Sequence, residues 1–243
     1  MDWMGWTLAG LGLIAAGVVK GATGIGYATC ALPILTYTFG LKPAMALILA
    51  PTIATNMSVA MSSGDVKESA RKFAPLYVGM IPGVGVGVTL LSWVDSSTAV
   101  FFLGVLMICY SVISLARPAL KLSEATARWL KLPVGFLNGV LTGLTGSQVI
   151  PLVPYVLALE LEPKQMIQAI NLGVLILTTL LGAGLLAKNL VDPLLLEASI
   201  LAAAPALVGV KIGTALRAHL PGHCVQRLVL AVVGLIGLKM VTG

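Results

Sequence analysis

Long apolar runs alternating with short polar ones set the pattern of this chain. Runs of membrane-spanning length lie at about 3–39, 43–62, 73–92, 97–116, 133–158, 165–187, 194–216 and 225–241, where one helical crossing needs about 20 residues. The pattern predicts an all-α polytopic membrane protein of about eight hydrophobic helical blocks. The first and fifth blocks are long, and glycines interrupt both. Short polar segments separate the blocks, and the longest of them, 117–131, leaves four blocks on either side. The expected organisation is one half over 1–116, a cytoplasmic linker over 117–131 and a second half over 132–243, all in one membrane domain.

The two interruptions share their phrasing. The first reads Gly17-Val-Val-Lys20-Gly21-Ala-Thr23-Gly24-Ile-Gly26-Tyr27-Ala-Thr29-Cys30-Ala-Leu-Pro33, and the second Gly135-Phe-Leu-Asn138-Gly139-Val-Leu-Thr142-Gly143-Leu-Thr145-Gly146-Ser147-Gln148-Val-Ile-Pro151. Further matches keep the same order: Leu41-Lys42-Pro43 with Leu161-Glu162-Pro163, then Gly83-x-x-x-Gly87 with Gly209-x-x-x-Gly213. An ordered echo of this kind predicts two homologous halves, each opening on a block that is broken or re-entrant. If each broken block crosses once, the halves run parallel; if each dips in and returns, they are inverted. The distribution of Lys and Arg favours inversion slightly, and both versions put 64–72 and 117–131 in the cytoplasm.

Composition narrows the class further. Hydrophobic residues make up 58% of the chain and charged residues 10%, with a mean hydropathy of +1.01, which excludes an ordinary soluble domain. The net charge of +6 sits mostly in short loops, where topology and attraction to the membrane surface account for it. Basic and aromatic residues are not interleaved, so no nucleic-acid partner is expected. The first residues, Met1 to Trp6, carry an acid and aromatics where a signal peptide would be basic, and read as a retained first segment with Trp3 and Trp6 at an interface. Cys30, Cys109 and Cys224 are odd in number and lack CxxC spacing, so neither a metal site nor a disulfide framework is implied. Both histidines, His219 and His223, share one loop, and no HExxH or GxSxG pattern occurs. No enzyme and no cofactor are expected.

A transporter needs inward-facing polar groups at depth on partly unwound backbone, and the two breaks supply them. Thr23, Gly24 and Gly26 in the first, and Thr145, Gly146, Ser147 and Gln148 in the second, leave N–H groups able to form an anion-binding concavity. Around Gly83, Gly85 and Gly87 the better reading is close helix crossing. Lys20 stands just before the first break, and Lys211 lies deep inside an apolar block. A buried lysine is costly unless it is paired or serves a passing anion; snorkelling to an interface is the alternative for both. The deepest carboxylate is Glu197, which leaves the two lysines without an obvious counter-ion. Asn56 and Asn171 either glue helices together or coordinate a polar substrate, and Asn138 takes the place of Lys20 in the second half. The expected partners are a small anionic substrate, held at the midplane between the breaks, and the lipid bilayer; assembly into a homo-oligomer is left open.

The glycine-rich break followed by Pro33, Pro-Thr-x-x-Thr-Asn at 51–56, Thr-Gly-Leu-Thr-Gly-Ser-Gln-x-x-Pro-Leu-x-Pro-Tyr at 142–155 and Gln-Ala-Ile-Asn at 168–171 resemble the TauE/SafE family of sulfite and organosulfur anion exporters. The resemblance covers nearly the whole chain, although Gly24-Ile-Gly26-Tyr27 departs from the Gly-Gly-Gly run common in that family's first break. It implies a multi-pass protein of the bacterial inner membrane, built of two homologous halves, that moves small sulfur-containing anions such as sulfite or organosulfonates. A secondary transporter working as an exporter is the expected activity. An anion channel and a non-transporting scaffold or assembly factor are the alternatives.

Overall fold

The computed structural model describes residues 3–62, 66–116, 121–217 and 222–242, and the regular structure among the described residues is entirely helical. In chain order the helices are α1 (Trp3–Thr23), α2 (Tyr27–Phe39), α3 (Leu41–Leu47), α4 (Leu49–Ser62), α5 (Val66–Lys72), α6 (Ala74–Trp93), α7 (Ser96–Ala116), α8 (Glu124–Thr145), α9 (Leu152–Leu157), α10 (Pro163–Ala187), α11 (Pro193–Leu216) and α12 (Gly222–Thr242). Five stretches, Gly5–Thr23, Ala74–Trp93, Ser96–Ala116, Pro163–Ala187 and Pro193–Leu216, are long and apolar enough to cross a membrane. Leu194, Ile200 and Leu201 on α11 and Leu228 and Leu235 on α12 are exposed, an outward apolar surface that suits lipid.

Two segments differ from the sequence expectation. The block expected over 43–62 starts at Leu41 and is divided between α3 and α4. Pro51 explains the division, since its ring excludes the carbonyl four residues back, at Leu47. The Ser199 hydroxyl donates to that Leu47 carbonyl (3.0 Å) and accepts from Ala50 N–H (2.9 Å). The polar segment 117–131 is helical from Glu124 onward: the Ser123 hydroxyl accepts from Thr126 N–H (3.2 Å), a cap strong enough to start α8 ahead of its apolar stretch.

Both broken blocks are hairpins. α2 runs back along α1 and brings Phe39 to Trp6, with ring centroids 5.0 Å apart. α9 likewise returns along α8, the Tyr155 hydroxyl donating to Ala127 O (2.7 Å) and Leu122 N–H to Ala158 O (3.1 Å). Lys121 and Glu160 close the second hairpin with an exposed ion pair at 2.7 Å.

Glycine faces determine which helices pair. Between α1 and α11, a Cβ at Gly209 would overlap Ile14 O and one at Gly213 would overlap Val18 O; the contacts advance together, so the two helices run parallel. α6 and α8 pair in the same sense, Gly135 against Leu76 O and Gly139 against Met80 O, where an added Cβ would sit 2.6 Å from the carbonyl. α7 and α12 run antiparallel: Gly104 meets Gly237, and the Ser111 hydroxyl donates to Leu230 O. α10 lies among these pairs, with Tyr77 of α6 donating to its Ala169 O (3.0 Å). Met45, Leu76, Met80, Leu177 and Leu181 are buried between them.

Candidate functional site

α1 ends at Thr23 because the next residues take a backbone that only glycine adopts readily. Gly24 and Gly26 have φ of 83° and 93°, in the left-handed region, and the chain turns there into α2. The Thr23 hydroxyl lies 2.8 Å from both Val19 O and Ile25 O, so it fastens the turn. The second turn is built alike. Gly146, at φ 75°, ends α8. Thr145 donates to Leu141 O (2.7 Å) and its oxygen accepts from Ser147 N–H (3.2 Å), while Thr142 donates to Ser147 O (2.9 Å). Local hydroxyl-to-backbone bonds of this kind compete with the helix and replace its lost bonds at a break.

Lys20, on the last turn of α1, is only 2% exposed. Its ammonium donates to Asn56 Oδ1 on α4 (2.8 Å) and to Asn171 Oδ1 on α10. Both amides are held oxygen-first: Asn56 Nδ2 donates to Thr52 O (2.7 Å), and Asn171 Nδ2 to Ile167 O (2.7 Å) and Gly24 O (3.2 Å). One lysine thus joins three helices, and Asn171 also fastens the first break.

Lys20, Gly26, Asn56 and Gln148 line one cavity, which brings the first break, α4 and the second break to a common point. Tyr27, Thr29 and Tyr110 complete its polar side, and Ile25, Ala28, Val149, Val153, Ile170 and Val174 its apolar side. Its volume is about 20 Å3, room for about one water. The first turn of α2 borders it, and no side chain caps that helix at Gly26, so its free N–H groups lie at the cavity wall. Tyr27 Oη, Thr29 Oγ1 and Gln148 Oε1 are buried without a hydrogen-bond partner, as are Thr36, Thr52, Ser69 and Gln168 elsewhere, and the three at the cavity are groups a polar ligand or water there could satisfy. A cation, unpaired hydroxyls and open helix N–H groups around one small space are the chemistry that recognises an oxyanion, although the space as it stands is too small for one. No group of three or more His, Cys, Asp or Glu that could hold a metal occurs among the described residues.

The structure does not bring every expected residue to this point. Thr23, Gly24, Thr145, Gly146 and Ser147 build the two turns, and none of these five lines the cavity. Lys211 is exposed on α11, away from the face that packs on α1. His219 and the side chains of His223 and Cys224 lie outside the described residues. Tyr27, Thr29 and Tyr110 are additions to the sequence-based set, as is Thr178, whose hydroxyl accepts from Gln148 Nε2 (2.9 Å). Thr178 was accessible to inspection, since Gln168, Asn171 and Thr178 recur at helical spacing along one face of α10.

Compared with protein-family models, the chain matches Sulfite exporter TauE/SafE over residues 8–240. No match is found among curated proteins or among solved structures.

Proposed function

The chain belongs to the sulfite exporter TauE/SafE family, whose members are membrane transporters and not enzymes, and from that premise we propose that it exports a small sulfur-containing oxyanion, sulfite or an organosulfonate, across the bacterial inner membrane. The substrate binds near the midplane, between the two glycine breaks. The carrying observation is Lys20, a buried cation whose partners are neutral amides, standing in a cavity that both breaks reach. A carboxylate partner would have made it structural; amides leave its charge for a visiting anion. Lys20, the first turn of α2 and Tyr27 form the anion's wall, and Gln148 faces them.

The helix pairing supports a duplicated, inverted architecture. The first helix of each half packs on the third of the other, α1 on α11 and α8 on α6, and the fourth helices pack on each other. The antiparallel α7 and α12, in matching places, support a reading in which the halves are related by a twofold axis in the membrane plane. The hairpin form of both broken blocks agrees with this, and α5 is then cytoplasmic. A cavity with room for about one water admits an oxyanion only once the break moves, which favours a gated carrier over an open channel.

The test is uptake of radiolabelled sulfite by proteoliposomes. Wild type should give saturable uptake, accelerated by unlabelled sulfite on the opposite side, and Gln148→Ala should lose most of it. Uptake that rises linearly with concentration and is indifferent to trans sulfite would establish a channel instead. Absence of any sulfite or sulfonate flux in wild type would end the transport assignment for these anions.

A further inference from the structure

The cavity's charge and hydrogen-bond polarity specify more than an anion. We infer that the transported species is monovalent and carries its own hydrogen-bond donor, as hydrogensulfite or a hydroxyl- or amino-bearing sulfonate does; this rests on the transport reading above.

The charge argument comes from what surrounds Lys20. Among the described residues it is the one cation lining the cavity; no carboxylate among them lines it, and the other ionisable side chains on its walls are the phenols of Tyr27 and Tyr110. Cys30, the nearest thiol, borders an adjoining small cavity together with Tyr110 and Thr29. A single positive charge balances a monoanion, whereas the second charge of a dianion would be buried without compensation.

The hydrogen-bond argument comes from Gln148. Thr178 donates its hydroxyl proton to Val174 O (2.7 Å), so toward Gln148 its oxygen can only accept. That fixes the amide with Nε2 on Thr178 (2.9 Å) and leaves Oε1 as the group without a partner. Gln148 is 1% exposed, so bulk water does not serve that oxygen. The same cavity is lined by donors: Tyr27, whose hydroxyl is buried and unpartnered, the first turn of α2, and Lys20, two of whose three N–H groups are engaged by the asparagines. A fully deprotonated oxyanion would place an acceptor against Gln148 Oε1. A protonated one satisfies both walls at once.

Hydroxymethanesulfonate and ethanesulfonate are both monoanions and differ by a hydroxyl in place of a methyl, so they isolate the donor; sulfate isolates the charge. Titration calorimetry on the purified full-length protein at neutral pH should give hydroxymethanesulfonate an affinity about tenfold or more above ethanesulfonate, the discrimination expected of a site built to accept a hydrogen bond. Sulfate should bind more weakly than either. Gln148→Leu should bring the two sulfonates to within about twofold of each other. A wild-type measurement guards against misfolding of that variant: as pH falls and hydrogensulfite accumulates, apparent affinity for total sulfite should rise more steeply than affinity for ethanesulfonate. Equal affinity for the two sulfonates, or sulfate binding as tightly as they do, would overturn the inference and leave the transport reading standing. Binding of none of these anions, sulfite included, would overturn both.

Discussion

Replacing Lys20 by Met separates a lysine kept for the fold from one kept for a ligand. The substitution retains the apolar stem and removes the ammonium, leaving Asn56 Oδ1 and Asn171 Oδ1 without the donor they share. Two stranded buried acceptors cost about 1–3 kcal/mol each. Against this stands the desolvation of an ammonium 2% exposed, several kcal/mol that the variant no longer bears. The terms oppose, and the expected net change lies within about 2 kcal/mol of zero. Asn171→Leu is different. It leaves the ammonium buried with Asn56 alone and removes the bond to Gly24 O that fastens the first break, so a loss of about 3–5 kcal/mol is expected.

The assay is equilibrium unfolding of purified protein in mixed micelles with rising SDS, followed by tryptophan fluorescence, beside sulfite binding on the same samples. Lys20→Met should unfold near the wild-type midpoint and bind no sulfite; Asn171→Leu should unfold earlier. In the double variant the buried charge is gone, so its loss should fall short of the sum of the single losses by about 2 kcal/mol. A Lys20→Met protein markedly less stable than Asn171→Leu would refute the reasoning, because the ammonium would then be a brace whose bonds outweigh its desolvation.

Three further outcomes are expected. Gly139→Ala places a Cβ 2.6 Å from Met80 O and must push α6 from α8, costing about 1–3 kcal/mol, whereas Gly85→Ala on α6 meets nothing within 4 Å and should stabilise by about 0.5–1 kcal/mol; melting curves that rank the two alike would count against the crossing geometry. Asp95, ahead of α7, accepts from the Ser97 hydroxyl and from the hydroxyl and N–H of Thr98, which holds its carboxyl well below the usual carboxylate range; since the folded state favours the ionised form, Asp95→Ala should lower the melting temperature at neutral pH, and the deficit should vanish as pH falls through the depressed folded value. Lys211→Gln, at an exposed position, should leave stability within about 0.5 kcal/mol and sulfite uptake unchanged, and a transport-dead variant would return Lys211 to the site.

The breaks and their echo were legible because glycines cluster with threonines ahead of a proline in each apolar run, although only Gly24, Gly26 and Gly146 end the helices, while Gly17, Gly21, Gly135 and Gly139 in the same stretches serve helix crossing. Lys20 was legible as a cation in need of a partner, but its partners lie on helices remote in sequence, and an isolated asparagine does not announce its direction. Lys211 illustrates a reading the sequence did permit. Gly209 and Gly213 mark the face of α11 that touches α1, and at about 100° per residue position 211 lies about 200° beyond Gly209, on the far side. Lys20 precedes Gly21 by one residue and follows Gly17 by three, which sets it beside the packed face and so inside. Which residues fill the cavity wall was not legible: Tyr110 comes from α7, brought in by the α7–α12 seam, and only the packed fold places it there.

The two breaks echo each other, yet they are not equivalent. At the equivalent of Lys20 stands Asn138, which reaches back into its own turn: its Oδ1 accepts from Leu152 N–H (3.3 Å) and its Nδ2 lies 3.4 Å from Gln148 O. Further along, Val153 N–H is taken by Val149 O (2.8 Å) and Tyr155 N–H by Pro151 O (3.1 Å), so the start of α9 is closed by its own chain. The start of α2 is uncapped and borders the cavity, and Lys20 reaches away from its break to two other helices. One difference between the two similar stretches therefore gives them different roles. Where asparagine occupies the position, the hairpin is braced and presents only the Gln148 amide; where lysine occupies it, the hairpin keeps open N–H groups and a charge. On the transport function proposed above, an anion held between them would bind mainly to the first hairpin, and movement of that hairpin relative to the second would open a cavity now large enough for about one water.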